Sequence, residues 1–317
     1  SRKKEESSMD YKMDYETFRQ EMKKLVEEGL RGKGEYSLSW NTMHKNNVTK
    51  KGLMISEEGS LVSLSVYFDQ SYQEYLGGRP LSDISREIIE MNVERCCPDV
   101  SALPLKDYGK MKEKLRVRLV GREQNEAYLE EGPYKPHPMG AEILYAELGS
   151  SSEGAMRMHV THQNLQEWNV PVQEVFEAAL ENSQREEGVQ FQSLTAVTAS
   201  ILGIESPEEE TFDKKDIYVL TNQSRDHGAA VLLYPGVLED VHKKMEGDYY
   251  ILPSSLHEVL ILSKEAGLTP AELKKMVVEV NREQVAPEER LGNDVYEFQD
   301  KTGTLQKCKV AEKEKTR

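Results

Sequence analysis

The residues whose types and spacing could do chemistry gather near the C-terminus, in YILPSSLHEVL, which carries Ser254, Ser255, His257 and Glu258. A serine nucleophile needs a base within hydrogen-bond reach, and that base needs an orienting acid. In an extended chain Ser255 and His257 would share a face, separated by roughly 6–7 Å of rise, and Glu258 would point the other way. The flanks lack the GxSxG turn that lifts a nucleophile out of a sheet. Pro253-Ser254-Ser255 therefore reads first as a turn or bulge whose hydroxyls satisfy freed backbone groups. A second candidate is Asp226-His227-Gly228, where a carboxylate beside an imidazole could hold a general base near neutrality. Adjacent side chains seldom orient one another, however, and Arg225 offers Asp226 a competing partner. Asn222, at the end of YVLTN, could bond a ligand or cap its own turn.

Other sets are weaker. His159 and His162 form HxxH with His137 upstream, but zinc takes three or four ligands at consistent spacing, and no cysteine pair completes the group. No metal and no cofactor is expected on these grounds. GLRGKGEY at 29–36 follows a helix, not the strand that a dinucleotide-binding glycine loop requires. Acidic pairs fall within charged surfaces, so no glycosidase dyad can be picked out. Trp40 and Trp168 read as packing residues.

The elements that must position these residues belong to a chain of 317 residues with 56 acidic and 41 basic side chains, a formal net charge of −15. Such a charge favours solubility and repels polyanions, which argues against nucleic acid as a partner. It suits a protein partner or a second copy of the chain in a homo-oligomer. KMKEKLRVR at 110–118 reads as the charged face of a helix. Cys96 and Cys97 are adjacent and Cys308 stands alone, a pattern of reduced thiols that points to the cytoplasm. No apolar run reaches the ~18 residues of a membrane span.

The periodicities predict an α+β protein of largely antiparallel sheets and amphipathic helices. A solvated tail is expected over 1–9, an N-terminal α+β subdomain over 10–132, a C-terminal one over 133–310 and a second tail over 311–317. The boundary is placed in GPYKPHPMG at 132–140, which holds three prolines. Helices are expected over 14–29 with Asp14 as cap, from Leu81 with Ser82 as cap to Pro98, over 107–120, over 122–130, from Pro171, over 193–203 and from about Pro235. Thr269 to Glu272 forms a capping box for a further helix. Strands are expected over 35–43, a hairpin at 50–69, then 141–148, 155–161, 216–221, 249–252, 257–262, 294–299 and 304–310. The acidic IESPEEETFD at 204–213 reads as a solvated loop.

YVLTNQSRDHGAAVLLYPGVL, DYYILPSSLHEVLIL and VNREQVAPEERLGNDVYEF resemble an uncharacterised domain-of-unknown-function family of anaerobic Firmicutes, especially gut clostridia. HQNLQEWNVPVQEVFEAALENS resembles its middle motif, with Asn169 where the family usually has glycine and Pro171 where a capping Ser or Thr is common. The resemblance covers about residues 10–300. It implies a bacterial cytosolic protein forming one compact unit, and brings no activity or catalytic residue with it. The expected function is thus non-enzymatic binding or regulation. The alternatives are a hydrolase or transferase using His257 with Ser254 or Ser255, aided by His227 or Asn222, and a structural role in an oligomer.

Overall fold

The structure, a computed structural model, describes residues 12–58, 63–94, 103–151, 154–204 and 212–310. The expected tails, the Cys96-Cys97 pair, Pro98 and most of the acidic loop lie outside these residues. Among the described residues no helix is long and apolar enough to cross a membrane. The fold is α+β, as the periodicities predict. The chain divides into two compact units, one of residues 1–43 and 49–103 and one of residues 44–48 and 104–317.

The first unit opens with α1 (Tyr15–Leu30), where Asp14 accepts from the Thr17 amide. Phe18, Met22, Val26 and Leu30 recur every fourth residue along one face and are buried. Behind α1 come β1 (Tyr36–Lys45), β2 (Val48–Glu57) and β3 (Ser63–Val66), in that order in one sheet. β2 and β3 pair antiparallel, Leu53 opposite Val66, which is the expected hairpin. Next are α2 (Asp69–Leu76) and α3 (Leu81–Glu94). Ser82 lies inside α3 rather than capping it, because the helix already begins at Leu81.

The second unit holds the candidate residues. It runs through α4 (Tyr108–Met111), a 3-10 turn, β4 (Leu115–Val120), α5 (Glu126–Glu130), β5 (Tyr134–His137), β6 (Gly140–Ser151) and β7 (Gly154–His159). Then come α6 (His162–Trp168), α7 (Val172–Glu187), β8 (Gln190–Ser193), α8 (Leu194–Leu202) and β9 (Ile217–Thr221). It closes with α9 (Val237–Met245), β10 (Tyr249–Leu252), β11 (Val259–Ser263), α10 (Pro270–Gln284), β12 (Tyr296–Gln299) and β13 (Thr304–Lys307).

Two sheets form here. β6 takes β4 along one side and β5, then β7, along the other. The larger sheet is antiparallel throughout, in the order β13-β12-β10-β11-β9-β8. One apolar core joins them, drawing Val117 and Leu119 from β4, Val175 and Phe176 from α7, Leu220 from β9 and Ile261 from β11.

Three expectations are corrected. Residues 107–120 are not one helix: after a single helical turn, Leu115, Val117 and Leu119 alternate inward as β4. Arg116 and Arg118 therefore belong to a strand, not to a charged helix face. GPYKPHPMG is not a boundary, since it forms β5 and its turn into β6, and the compact units part near 103/104. The strand expected over 257–262 begins only at Val259 and runs to Ser263, so His257 and Glu258 precede it, while no strand runs through Pro253-Ser254-Ser255, as the turn reading expects.

Candidate functional site

The site is made where β9 ends and where the chain enters β11. Val259 of β11 faces Leu220 of β9, which brings the segment before one strand beside the segment after the other. Thr221 Oγ1 donates to the His257 carbonyl at 2.6 Å. The next residues turn sharply, and Asn222, fully buried, organises the turn. Its Nδ2 donates to the Asp226 carbonyl at 2.8 Å, and its Oδ1 accepts from the Asp226 amide and from Ser224 Oγ, both at 3.2 Å. Arg225 and His227 both take left-handed backbone angles, φ 55° and 52°. Non-glycine residues reach that region at a cost of about 1–2 kcal/mol each, so the surrounding contacts must impose it.

The turn makes neighbouring side chains meet. His227 Nδ1 lies 2.8 Å from Asp226 Oδ1, so adjacency does not keep these two apart, and the left-handed step between them is the reason. His257 Nδ1 lies 3.4 Å from the same Oδ1, and the two imidazoles meet edge to face with centroids 5.4 Å apart. His257 Nδ1 has a second partner, the His227 amide, at 3.1 Å. One nitrogen cannot serve both at once: unprotonated it accepts from the amide, and protonated it donates to Asp226. The hydrogen bonds from His227 and His257 hold the Asp226 carboxyl well below the usual carboxylate range, with Arg157 adding to them. The same contact with Asp226 raises His257 against the opposing effect of its burial. Burial raises Glu258 above the ordinary carboxylate value.

A chain of ion pairs stands behind Asp226. Arg157 of β7 pairs with Asp226 Oδ2 and, at 3.0 Å, with Glu147. Glu147 also takes Arg118 at 3.0 Å, and Arg118 reaches Glu187 at 2.7 Å. The Arg118 side chain is only 3% exposed and that of Glu187 12%, so these inner charges depend on one another. Tyr234 completes the run by donating to Glu187 at 2.7 Å. Arg225, the competitor expected for Asp226, points to Gln192 instead.

The predicted residues divide. Asn222, His227 and His257 converge. Ser254 and Ser255 are buried and do not join them: Ser255 Oγ accepts from the His257 backbone amide at 2.9 Å, and the His257 ring pairs with Asp226, the His227 amide and Glu289. His137, His159 and His162 form no three-ligand group; among the described residues the set of metal-ligating side chains lying within 4.8 Å of one another is Asp226, His227 and His257. Sequence reasoning missed Arg118, Glu147, Arg157, Glu187 and Glu289. Their one legible signal is the alternation of LRVRL, which turns Arg118 away from the Val117 face of β4.

A family model matches residues 15–300. The chain belongs to a family of unknown function, DUF5688. The match takes in every residue of the site and of the ion-pair chain. No curated protein and no solved structure matches the chain.

Proposed function

We propose that this DUF5688 member is a binding or regulatory protein rather than a hydrolase, and that its recognition element is the 222–228 turn with His257. The observation that carries this reading is the placement of Ser255, whose hydroxyl oxygen accepts from a backbone amide two residues on, while the His257 ring meets Asp226, the His227 amide and Glu289. Among these contacts of the His257 ring there is no serine hydroxyl, the partner that an imidazole base would need to activate a nucleophile. The carboxylates of Asp226 and Glu289 flank the two imidazoles, and Glu258 adjoins His257 in sequence. That charge suits a cationic ligand. The family resemblance and the reduced-thiol cysteine pattern support a bacterial cytoplasmic setting.

A thermal-shift screen of small cations and amines against the full chain tests the reading. A ligand that raises the melting temperature of the wild type but not of Asp226→Asn is expected, since binding to the folded state alone stabilises it. Turnover of model esters or phosphoesters that disappears in both His257→Ala and Ser255→Ala would overturn the reading in favour of the hydrolase.

A further inference from the structure

We propose that Asp226, His227 and His257 form a binding site for a first-row transition-metal ion such as Zn²⁺, Co²⁺ or Ni²⁺. The inference rests on the binding reading above and names the class of cation. It departs from the sequence expectation of no metal, which weighed only His137, His159 and His162 as ligands.

The geometry fits an ion. Asp226 Oδ1 lies 2.8 Å from His227 Nδ1 and 3.4 Å from His257 Nδ1, and one ligand atom from each of the three residues lies within 4.8 Å of the others. With metal–ligand bonds of about 2.1 Å, those separations subtend angles of about 85° and about 110° at a common ion. These values lie near the octahedral and tetrahedral ideals. Two imidazoles and one carboxylate make a borderline donor set that suits zinc, cobalt, nickel or iron, and disfavours the all-oxygen preferences of magnesium and calcium. Three protein ligands leave further positions for water or a second ligand.

The outer contacts are those a metal site uses. Arg157 occupies Asp226 Oδ2 and so directs the other oxygen to the imidazoles. Glu289 lies 3.8 Å from His257 Nε2, on the far side of the ring from Nδ1, too far for a hydrogen bond but an opposite charge facing that edge of the ring when the ring is protonated. The left-handed backbone at His227 presents its ring to Asp226, and Asn222 holds both backbone groups of Asp226. Coordination takes the Nδ1 lone pair of His257, and the 3.1 Å contact from the His227 amide gives way to it.

The test uses the full chain, stripped with chelator and titrated with Zn²⁺ alone by calorimetry and with Co²⁺ alone by visible absorption. One ion per chain is expected. Asp226→Asn, His227→Asn and His257→Gln should each weaken binding by more than the ~10–100-fold that outer contacts contribute, and should remove the cobalt bands. These replacements retain hydrogen-bonding groups, and asparagine tolerates the left-handed backbone at 227. His162→Ala, outside the set, should bind as the wild type does. Circular dichroism confirms that the variants are folded; should His227→Asn unfold, the other two decide. No Zn²⁺ binding by the wild type, or undiminished binding by His257→Gln and Asp226→Asn, overturns the proposal. If Zn²⁺ fails while another cationic ligand still stabilises the wild type through Asp226, only the metal assignment falls. Hydrolysis that depends on His257 and Ser255 would sink the binding reading itself.

Discussion

Gly228 sets how closely the 222–228 turn can lie on the chain entering β11. A Cβ there would stand 2.0 Å from Thr221 Oγ1, 2.4 Å from the His257 carbonyl and 2.7 Å from the Asn222 amide. Two of these are backbone atoms, one of them the carbonyl that Thr221 Oγ1 holds, so Gly228→Ala is expected to cost about 3 kcal/mol or more. The midpoint of urea unfolding measures this, and a loss under about 1 kcal/mol would mean that the turn can shift without penalty. Two other histidines carry a pH dependence. Burial holds His137 and His159 at about 4, and His159 lies between the rings of Tyr128 and Tyr145, with Glu131 and His162 nearby. Both are neutral in the folded state while the unfolded chain takes up protons from about 6.5 downward. Stability is therefore intact above about pH 6.5 and declines as pH falls toward 4, by on the order of 3 kcal/mol per histidine. Urea curves at pH 7.5 and 4.5 should show His159→Phe losing less than the wild type. An equal loss would remove His159 from the account.

Between α6 and α7 the chain turns at Asn169, which takes φ 51° and donates its amide to the Leu165 carbonyl at 3.0 Å. Asn169→Gly is expected to raise stability by up to ~1 kcal/mol, and Asn169→Val to lower it by more, because a β-branched residue resists that region. Melting temperatures of the pair check the sign. The helices were legible where their signals are local. The box of Thr269 and Glu272 with Pro270 between them marks the start of α10, and both reciprocal bonds form. α6 has a capping box too, Thr161 with Asn164, but its seven residues carry too few apolar repeats to announce a helix. β4 was hidden because its alternation follows directly on a real helical turn, so two periods run together over 107–120. β5 was hidden by Pro136, which an edge strand accepts, and among the described residues β5 pairs only with β6. The site was half legible. Residue types pointed to Asn222, His227 and His257, but their convergence depends on left-handed steps at 225 and 227 and on partners far along the chain.

At the scale of the second unit, charge is arranged as a sequence of alternating signs running from Glu187 through Arg118, Glu147 and Arg157 to Asp226. Removing one inner member leaves its neighbours uncompensated away from water. Arg118→Met is expected to cost about 3–5 kcal/mol, and the double variant Arg118→Met/Glu187→Gln to recover part of that loss by removing a stranded charge. Equilibrium urea unfolding measures both, and equal losses would show that Glu187 is reached by solvent once Arg118 is gone. The same sequence of charges has a kinetic meaning. Three of its four links join residues 69, 29 and 69 positions apart, from β4 to α7, from β4 to β6 and from β7 to the turn after β9, and the fourth, Glu147 to Arg157, spans 10 between β6 and β7. The first three close long loops, and charges that must shed water gain from meeting only once both sheets stand in place. Bonds made after the rate-limiting step leave refolding rates almost untouched and govern how fast the native state is lost. In a chevron, Arg118→Met should steepen the escape from the folded state while refolding proceeds at nearly the wild-type rate. The ion pairs would then act as a latch, setting the lifetime of the site more than the speed of its assembly.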